Sequence, residues 1–303
     1  MSLRIVSAGF VFFAYGLGNA LSFPLSVGAT VVLMAERPTP AAVFKRLTET
    51  KPTLFFGVPT MYARLAESER LTELSALRLA VSGSAPLAPE LWNRIRDDAG
   101  VEVLERYGMT EIGMALSNPY VGERRAGMVG LPLPGVEAAL FDDANERITS
   151  EDQPGEIRIR GAPVFLEYWN NPQATAASFH DGWFCTGDVA VLENGYFRIL
   201  GRSSIDIIKS GGYKLSALEI EGTLLTHDMI AECAVVGVED ETWGEAVTAC
   251  VVLKSGQQLS YQELKSWCES RMSPYKIPKQ LRVMSALPRN AMGKVLKAEL
   301  KGK

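Results

Sequence analysis

The first third of the chain alternates between short apolar runs and longer amphipathic stretches. Four apolar runs have the length and character of buried strands: residues 30–34, 53–56, 79–82 and 101–104. Between them, residues 40–49, 60–67 and 89–98 predict helices, and Pro40 and Pro89 stand where a first helical turn tolerates proline. This alternation predicts a parallel sheet with right-handed crossovers.

The pattern changes after residue 126. Residues 127–200 are rich in glycine and proline and predict antiparallel strands, arranged as a barrel or as a small sheet beside the α/β layer. Residues 201–206 read as a short polar connector, and residues 207–303 predict a compact α+β unit. The predicted strands are 136–141, 156–160, 196–200, 233–238, 248–253 and 281–284, and the predicted helices are 216–226 and 261–271.

Residues 5–35 contain no charged side chain and resemble, at first sight, a signal peptide or a membrane span. Glycine, serine, asparagine and proline residues interrupt the run, and no compact apolar core is followed by a small-residue cleavage site or by stop-transfer charges. We therefore expect a buried helix followed by the buried strand at 30–34, and no membrane span.

Composition narrows the possible functions only modestly. The 303 residues suffice for two domains, and 47% hydrophobic with 22% charged residues is typical of globular proteins. A net charge of −4 argues against nucleic acid as the main partner. Four isolated cysteines and two histidines argue against a disulfide framework or a zinc site and fit a reducing compartment.

The most suggestive chemistry follows the fourth apolar run. Tyr107 offers a flat face for a base, and Gly108 permits close approach of backbone and ligand. Thr110 can bond a phosphate oxygen, and Glu111 is a hard oxygen ligand for Mg²⁺. Alone, this segment is more typical of a strand that ends in a polar turn, so further motifs are needed to favour a nucleotide site.

Such motifs follow, and together they resemble the adenylate-forming acyl-CoA synthetases in content and order. They are Tyr-Gly-Met-Thr-Glu at 107–111, Thr-Gly-Asp at 186–188, Gly-Arg at 201–202, Ser-Gly-Gly-Tyr-Lys at 210–214 and Pro-Arg-Asn-Ala-Met-Gly-Lys at 288–294. The resemblance covers nearly the whole chain. The family also has a longer N-terminal half with a Ser/Thr/Gly-rich phosphate loop, which this sequence lacks, as it lacks a G-x-x-x-x-G-K-[ST] motif.

The resemblance implies a fold and a domain organisation. We expect a truncated large α/β domain at 1–200, divided into an α/β part (1–126) and an antiparallel β-rich part (127–200). A hinge at 201–206 and a small, mobile α+β domain at 207–303 complete the prediction. The connector is one residue longer than the usual family pattern, so its pivot is placed only within 203–206.

The resemblance also implies a reaction and its residues. A carboxylate attacks ATP to give an acyl-adenylate, and coenzyme A then displaces AMP, with Mg²⁺ as the metal. The implied nucleotide-binding residues are Ser84, Ala85, Pro86, Tyr107, Gly108, Thr110, Asp188 and Arg202. The first three border the adenine, Asp188 accepts the ribose hydroxyls, and Arg202 reaches ribose or phosphate oxygens. The structural alternatives are a tight turn for residues 84–86, a turn-capping role for Asp188 and an interdomain salt bridge for Arg202.

Catalysis and thioester formation are assigned in the same way. Lys294, Thr110 and Glu111 are the implied catalytic residues, with Glu111 also the metal ligand. Lys294 would bridge carboxylate and phosphate in the first step, and the small domain would then rotate. The implied loop on the coenzyme A side is Ser210, Gly211, Gly212 and Tyr213, for which a plain turn is the alternative.

The acyl pocket is the least defined part of the site. Its candidate residues are Tyr15, Gly108, Met109 and Met114. Residues 5–65 resemble benzoate-type ligases, whereas residues 78–303 resemble malonyl-CoA synthetases. A malonate site needs a cation for the second carboxylate, and the sequence does not identify one. The aromatic residues near Tyr15 are equally compatible with a core or with a lid.

These observations predict an ATP- and coenzyme A-dependent carboxylic acid ligase, which the family would place in the cytoplasm. The expected partners are a small carboxylic acid, ATP and CoA, with malonate or methylmalonate favoured over benzoate. The alternative of another class is a non-catalytic remnant that binds nucleotide or CoA. A domain that loads a carrier protein is a weaker alternative, since no carrier domain with its serine attachment site is found in the sequence.

Overall fold

The computed structural model describes residues 4–7, 18, 21–34, 39–289 and 295–302. These residues form three β-sheets with helices packed on them. The predicted order, in which an α/β part is followed by a β-rich part and an α+β unit, is confirmed. No helix in these described ranges is both long and apolar enough to cross a membrane.

The first sheet has seven strands in the order β2-β1-β3-β4-β5-β6-β7. Their bounds are β1 Arg4–Ser7, β2 Thr30–Leu33, β3 Leu54–Gly57, β4 Leu79–Ser82, β5 Leu104–Met109, β6 Gly113–Ser117 and β7 Leu131–Pro132. Pairing from β2 through β5 is parallel, whereas β5, β6 and β7 pair antiparallel. The sheet is therefore parallel with an antiparallel extension that begins at β5.

Helices connect the parallel strands as predicted. They are α1 (Phe23–Ser26), α2 (Pro40–Thr50), α3 (Pro59–Ala66) and α4 (Pro89–Ala99), with a 3-10 helix at Leu71–Ala76. The last three α-helices each begin at a proline, whose fixed φ suits the first turn and whose missing N–H is not needed there. α2 and α4 end at Lys51 and Gly100, which adopt left-handed φ values of 44° and 67°.

Alternate residues of each strand face opposite sides of this sheet. Phe55 and Ala80 belong to the core formed with α2, α3 and α4, whereas Phe56, Val81 and Leu104 form a separate cluster. The three helices therefore cover one face, and a cavity lies on the other.

Three predictions for this sheet are wrong. Val101, Val103 and Leu104 are buried, but β5 begins only at Leu104, because pairing with β4 starts there. β2 is an edge strand with Thr30 and Leu33 exposed, so it is not a buried strand. Of the buried helix expected before β2, residues 18 and 21–26 are helical but mostly exposed, residues 5–7 belong to β1, and residues 8–17 and 19–20 lie outside the described residues.

The β-rich part forms an open, six-stranded antiparallel sheet and not a barrel. Its strands are β8 Val136–Phe141, β9 Arg147–Ile148, β10 Gly155–Gly161, β11 Phe179–His180, β12 Trp183–Glu193 and β13 Tyr196–Arg202, with α5 at Pro172–Ala177. The two-residue strand β7 belongs to the first sheet, although it lies beyond residue 126. Gly130, just before it, pairs with Phe197 of β13 and joins the first two sheets.

The connector after β13 is a tight turn. The amides of Ile205 and Asp206 both donate to the carbonyl oxygen of Arg202. Gly201 has a φ of 131°, and a Cβ there would lie 2.4 Å from Cβ of Asp206. Only glycine fits this position, so the turn is fixed by its sequence.

The third sheet is the core of the C-terminal unit. Its strands are β14 Ile207–Ser210, β15 Tyr213–Ser216, β16 Ile230–Asp240, β17 Gly244–Leu253 and β18 Gln280–Val283, with α6 Ala217–Leu224, α7 Tyr261–Glu269 and α8 Lys297–Lys301. The hydroxyl oxygen of Ser216 caps α6 by accepting from the amide of Glu219. Ser260 and Glu263 form a reciprocal capping box on α7.

Candidate nucleotide and substrate site

Strand β5 divides the candidate site into two sides. Leu104 and Arg106 line a cavity on the face of the first sheet opposite α2, α3 and α4. Glu105 and Tyr107 alternate with them and face the opposite side. A nucleotide cluster and a substrate cavity can therefore flank one strand.

The nucleotide cluster is centred on Asp188 of β12. Its Oδ2 accepts a 2.6 Å hydrogen bond from the hydroxyl of Tyr107, and its Oδ1 lies 2.9 Å from Nε of Arg202. Asp188 and Arg202 are paired residues of β12 and β13, so the sheet register brings them together. The structure thus brings together three residues that the sequence motifs singled out separately.

Burial and charge act against each other at Asp188. Burial raises the pKa of this carboxyl, while the Tyr107 hydroxyl and the Arg202 guanidinium both oppose that rise. Burial and the neighbouring Asp188 raise the pKa of Tyr107 well above its ordinary value, so Tyr107 keeps its proton as the donor. A carboxylate held in this way has lone pairs left for ligand hydroxyls.

The residues before Asp188 fix its orientation. The Thr186 hydroxyl donates to the carbonyl of Ile157 (2.6 Å) and accepts from the amide of Asp188 (3.1 Å). The carbonyl oxygen of Thr186 accepts from Nη1 of Arg202 at 3.0 Å. Gly187 has a φ of 72°, in the left-handed region that favours glycine. The Thr-Gly-Asp order is thereby explained locally.

The predicted adenine loop follows β4. Ser84, Ala85 and Pro86 are exposed, and Ser84 has a left-handed φ of 70°. Just beyond them, the amide of Leu87 donates to Oε1 of Glu105 at 2.9 Å. The loop is thus tied to the strand that carries Tyr107, through a carboxyl that the sequence analysis did not single out.

Thr110 and Glu111 follow β5 in a turn. Thr110 is exposed, and Oε1 of Glu111 accepts from the hydroxyl of Tyr168 at 3.0 Å. The described part of the chain contains no cluster of three or more His, Cys, Asp or Glu side chains suited to a metal. Glu111 nevertheless fits Mg²⁺, which is commonly held by one or two carboxylates together with substrate phosphates.

The predicted loop on the coenzyme A side is a two-residue hairpin turn. Ser210 and Tyr213 are paired, and Gly211 and Gly212 between them have φ values of 57° and 84°. The ring of Tyr213 stacks on that of Tyr275, with centroids 4.6 Å apart, and remains half exposed. The glycine pair is therefore explained by the turn, and a ligand role stays a prediction.

The proposed catalytic Lys294 lies outside the described residues. A second lysine, which sequence reasoning missed, begins α8: Nζ of Lys297 lies 2.7 Å from Oδ1 of Asp206 and 2.8 Å from Oε1 of Glu221. The Lys297 side chain is 9% exposed. This buried ion triad ties the connector to α6 and to the segment that follows Lys294. No local sequence signal announces it, because its members are far apart in the chain.

The candidate substrate cavity has a volume of about 540 Å³. Arg106 lies in it among mainly apolar residues, with its guanidinium carbon 5.3 Å from the centroid of the Phe56 ring. Met114 also lines the cavity, whereas Met109 packs against the core of the second sheet. Tyr15 lies outside the described residues. Arg106 is thus a cation in the cavity that the sequence motif contained but did not reveal.

Gly108 is required by the backbone of the β5–β6 hairpin. A Cβ at this position would lie 2.1 Å from the carbonyl oxygen of Gly113 and 2.7 Å from Cε of Met114. Backbone atoms cannot move aside as the end of a flexible side chain can, so a side chain at this position would separate the two strands. Gly108 therefore sets the close spacing between β5 and the cavity residue Met114.

Comparison with known families defines the class of this protein. The AMP-binding enzyme family matches residues 2–169, and the AMP-binding enzyme C-terminal domain matches residues 219–294. The chain belongs to the AMP-binding enzyme family, which confirms the resemblance seen in its motifs.

Individual relatives make the similarity more specific. The chain is 44% identical to the mitochondrial malonate–CoA ligase ACSF3 of Mus musculus, over 94% of this chain and 55% of that protein. It is 39% identical to the benzoate–CoA ligase of Thauera aromatica, over 98% of this chain and 57% of that protein. Among solved structures, ATP-bound MatB from Rhodopseudomonas palustris superposes with a TM-score of 0.89 at 34% identity, covering 99% of this chain and 60% of MatB.

The chain therefore spans little more than half the length of the curated relatives it matches. The family and the fold are shared with these proteins.

Proposed function

We propose that this chain carries the nucleotide, acyl and thioester machinery of an ATP-dependent carboxylic acid:CoA ligase. The observation that carries the proposal is the position of Asp188, between the Tyr107 hydroxyl at 2.6 Å and the Arg202 guanidinium at 2.9 Å. A carboxylate in this setting can accept two ribose hydroxyls. Tyr107 lies beside it with a ring suited to a base, and Arg202 brings a cation toward ribose or phosphate oxygens.

The first half-reaction must bring a carboxylate to the α-phosphate of ATP, and the like charges repel. Cations and hydrogen-bond donors placed where charge develops lower this barrier. We assign the phosphate contacts to Thr110 and the cation to Lys294. Glu111 would hold Mg²⁺, which neutralises charge on the phosphates when bound. The products of this step are an acyl-adenylate and pyrophosphate.

In the second half-reaction the thiolate of coenzyme A attacks the acyl carbonyl, and AMP leaves. We assign Ser210, Gly211, Gly212 and Tyr213 to the coenzyme A side of the site, presented by rotation of the C-terminal unit about 201–206. Because Gly211 and Gly212 carry no side chains, an extended pantetheine arm can pass close to their backbone. This assignment rests on the family resemblance.

For the acid we favour malonate or methylmalonate. Arg106 supplies the cation that a second carboxylate needs, in a cavity whose apolar lining strengthens a charge-assisted pair. Arg106 immediately precedes Tyr107, so the cavity and the nucleotide cluster flank the same strand. ACSF3 and MatB, a malonate–CoA ligase and a structural neighbour, add support through their similarity to this chain. Benzoate is the second candidate, supported by the Thauera relative.

The nucleotide assignment is tested by AMP binding in isothermal titration calorimetry. Asp188→Ala should weaken binding by about 10-fold or more, since a hydrogen bond to a charged group contributes roughly 1.5–3 kcal/mol. Asp97→Ala is the control, because Asp97 is exposed on α4 and, in the part of the chain that the structure describes, forms its ion pair with the neighbouring Arg96. Equal affinity of the Asp188 and Asp97 variants would refute the assignment.

The acid is tested by supplying malonyl-adenylate or benzoyl-adenylate with coenzyme A and measuring thioester. Arg106→Leu should reduce the malonyl reaction about 10-fold or more and leave the benzoyl reaction unchanged. Arg94→Leu is the exposed control. An equal loss with both acids would refute the role of Arg106. AMP binding without thioester from either adenylate would favour the non-catalytic remnant.

We propose the cytoplasm as the compartment, on the basis of the family resemblance. The relative ACSF3 is named as mitochondrial, so the mitochondrion is the alternative compartment. Fractionation of cells that express the natural gene with an epitope tag distinguishes the two compartments.

A further inference from the structure

Glu105 is a buried acid that the proposed chemistry leaves without a role. Its side chain is 1% exposed, although it is part of β5, two residues before Tyr107. Carboxyl groups are seldom buried without an ion partner. Its Oε1 accepts from the amide of Leu87 at 2.9 Å, and within the described ranges its Oε2 has no hydrogen-bond partner.

The position of Glu105 connects the two walls of the proposed base site. Leu87 directly follows the exposed loop residues Ser84, Ala85 and Pro86, which are the predicted border of the adenine. Glu105 and Tyr107 lie on the same side of β5. One carboxyl thus fixes the end of the loop to the strand that carries the opposite wall.

The loop needs such an anchor. Ser84 has a φ of 70°, a left-handed conformation that non-glycine residues adopt only when their surroundings hold them. Leu87 is 1% exposed, so its amide would be left without water if Glu105 did not accept from it. Loss of the acceptor would therefore release the loop and allow Ser84 to relax.

We propose that Glu105 is a positioning residue that holds the Ser84–Pro86 loop against Tyr107 and thereby sets the affinity of the site for an adenine base. The inference rests on the proposed nucleotide site and adds to it a residue that touches no ligand. Burial raises the pKa of Glu105 to about 8, so the side chain is neutral at pH 7. Glutamine is also neutral and has the same shape, so Glu105→Gln should keep the position of the loop.

The experiment compares binding of AMP and of ribose 5-phosphate to the chain at pH 7, by calorimetry or ligand-observed NMR. Glu105→Leu removes the acceptor and should weaken AMP about 10-fold while leaving ribose 5-phosphate within about 2-fold, since only AMP has a base. Glu105→Gln should bind both ligands as the unchanged chain does. The ratio of the two affinities separates base positioning from general damage to the fold.

Three outcomes would overturn the proposal. They are normal AMP binding by Glu105→Leu, an equal loss of both ligands by Glu105→Leu, and a loss of AMP binding by Glu105→Gln that matches that of Glu105→Leu. If Glu105→Leu does not fold, Glu105→Asp serves in its place, since its shorter side chain draws the acceptor away from Leu87. Absence of AMP binding by the unchanged chain would instead refute the proposed nucleotide site, so the two failures are distinguishable.

Discussion

Lys297 offers the sharpest test of how the C-terminal unit is attached to the connector. Its ammonium group is 2.7 Å from Asp206 and 2.8 Å from Glu221, and the three side chains are 9%, 15% and 13% exposed. Two acids therefore share one cation with little solvent. Lys297→Met preserves much of the apolar stem but leaves both carboxylates without their cation.

The expected cost follows from this geometry. Removing one partner of a buried ion pair typically destabilises a protein by about 3–5 kcal/mol, because an uncompensated charge stays behind. We expect about 3 kcal/mol, at the lower end, because Asp206 and Glu221 retain slight exposure. With a urea m-value of about 2–3 kcal/mol/M, the unfolding midpoint should fall by roughly 1–1.5 M.

The matched control is Lys301→Met on the same helix. Lys301 is 38% exposed and 3.7 Å from Glu245, so its loss should change stability by less than about 1 kcal/mol. Unfolding is followed by tryptophan fluorescence, to which Trp243 and Trp267 of the C-terminal unit contribute. Equal midpoints for the Lys297 and Lys301 variants would show that the buried triad contributes no more than a surface pair.

Three further predictions use other parts of the molecule. Burial raises the pKa of Glu105 from 4.5 to about 8. Between these pH values the carboxyl stays protonated in the folded state and ionises in the unfolded state. The contribution of Glu105 to the free energy of unfolding therefore falls by about 1.4 kcal/mol per pH unit over this range. Urea titrations at pH 5 and 7.5 should therefore show a loss of about 3 kcal/mol relative to Glu105→Gln, and parallel curves would contradict this. The change equivalent to Lys294→Ala in a full-length relative should slow adenylation by orders of magnitude and spare thioester formation from supplied acyl-adenylate. An equal loss in both steps would indicate that the lysine is structural. Phe23 and Leu25 are 65% and 54% exposed, so we expect the chain to bind a hydrophobic dye. Leu25→Ser should reduce that binding more than Leu166→Ser, a change at an exposed leucine elsewhere in the chain.

The elements that could be predicted from sequence are those whose signals are local. Pro40 and Pro89 mark helix starts because proline fixes φ, and they do so at the predicted residues. The strand Val136–Phe141 has the predicted bounds because its apolar residues and flanking turn residues lie within one short window. β5 was misplaced because Val101 and Val103 are buried without pairing to a strand, and strand pairing is not a local property.

The site divides in the same way. Tyr107, Asp188 and Arg202 were found because each lies in a motif with a fixed local order. Arg106 lies in the same segment as Tyr107, but its role depends on which face of β5 it occupies, and the register of three strands decides that. Lys297 was missed because Asp206 is 91 residues away in sequence.

These distant contacts form one continuous path across the connector. Tyr107 donates to Asp188, and Asp188 pairs with Arg202, whose amide donates to Oδ2 of Asp206 at 3.1 Å. The other oxygen of Asp206 pairs with Lys297, three residues beyond Lys294 in the chain. A change at Asp206 therefore acts on the nucleotide cluster through Arg202 and on the following segment through Lys297. Rotation of the C-terminal unit about 201–206 would either carry this path intact or break one of its contacts. The stability of Lys297→Met measures what the contact at Asp206 contributes.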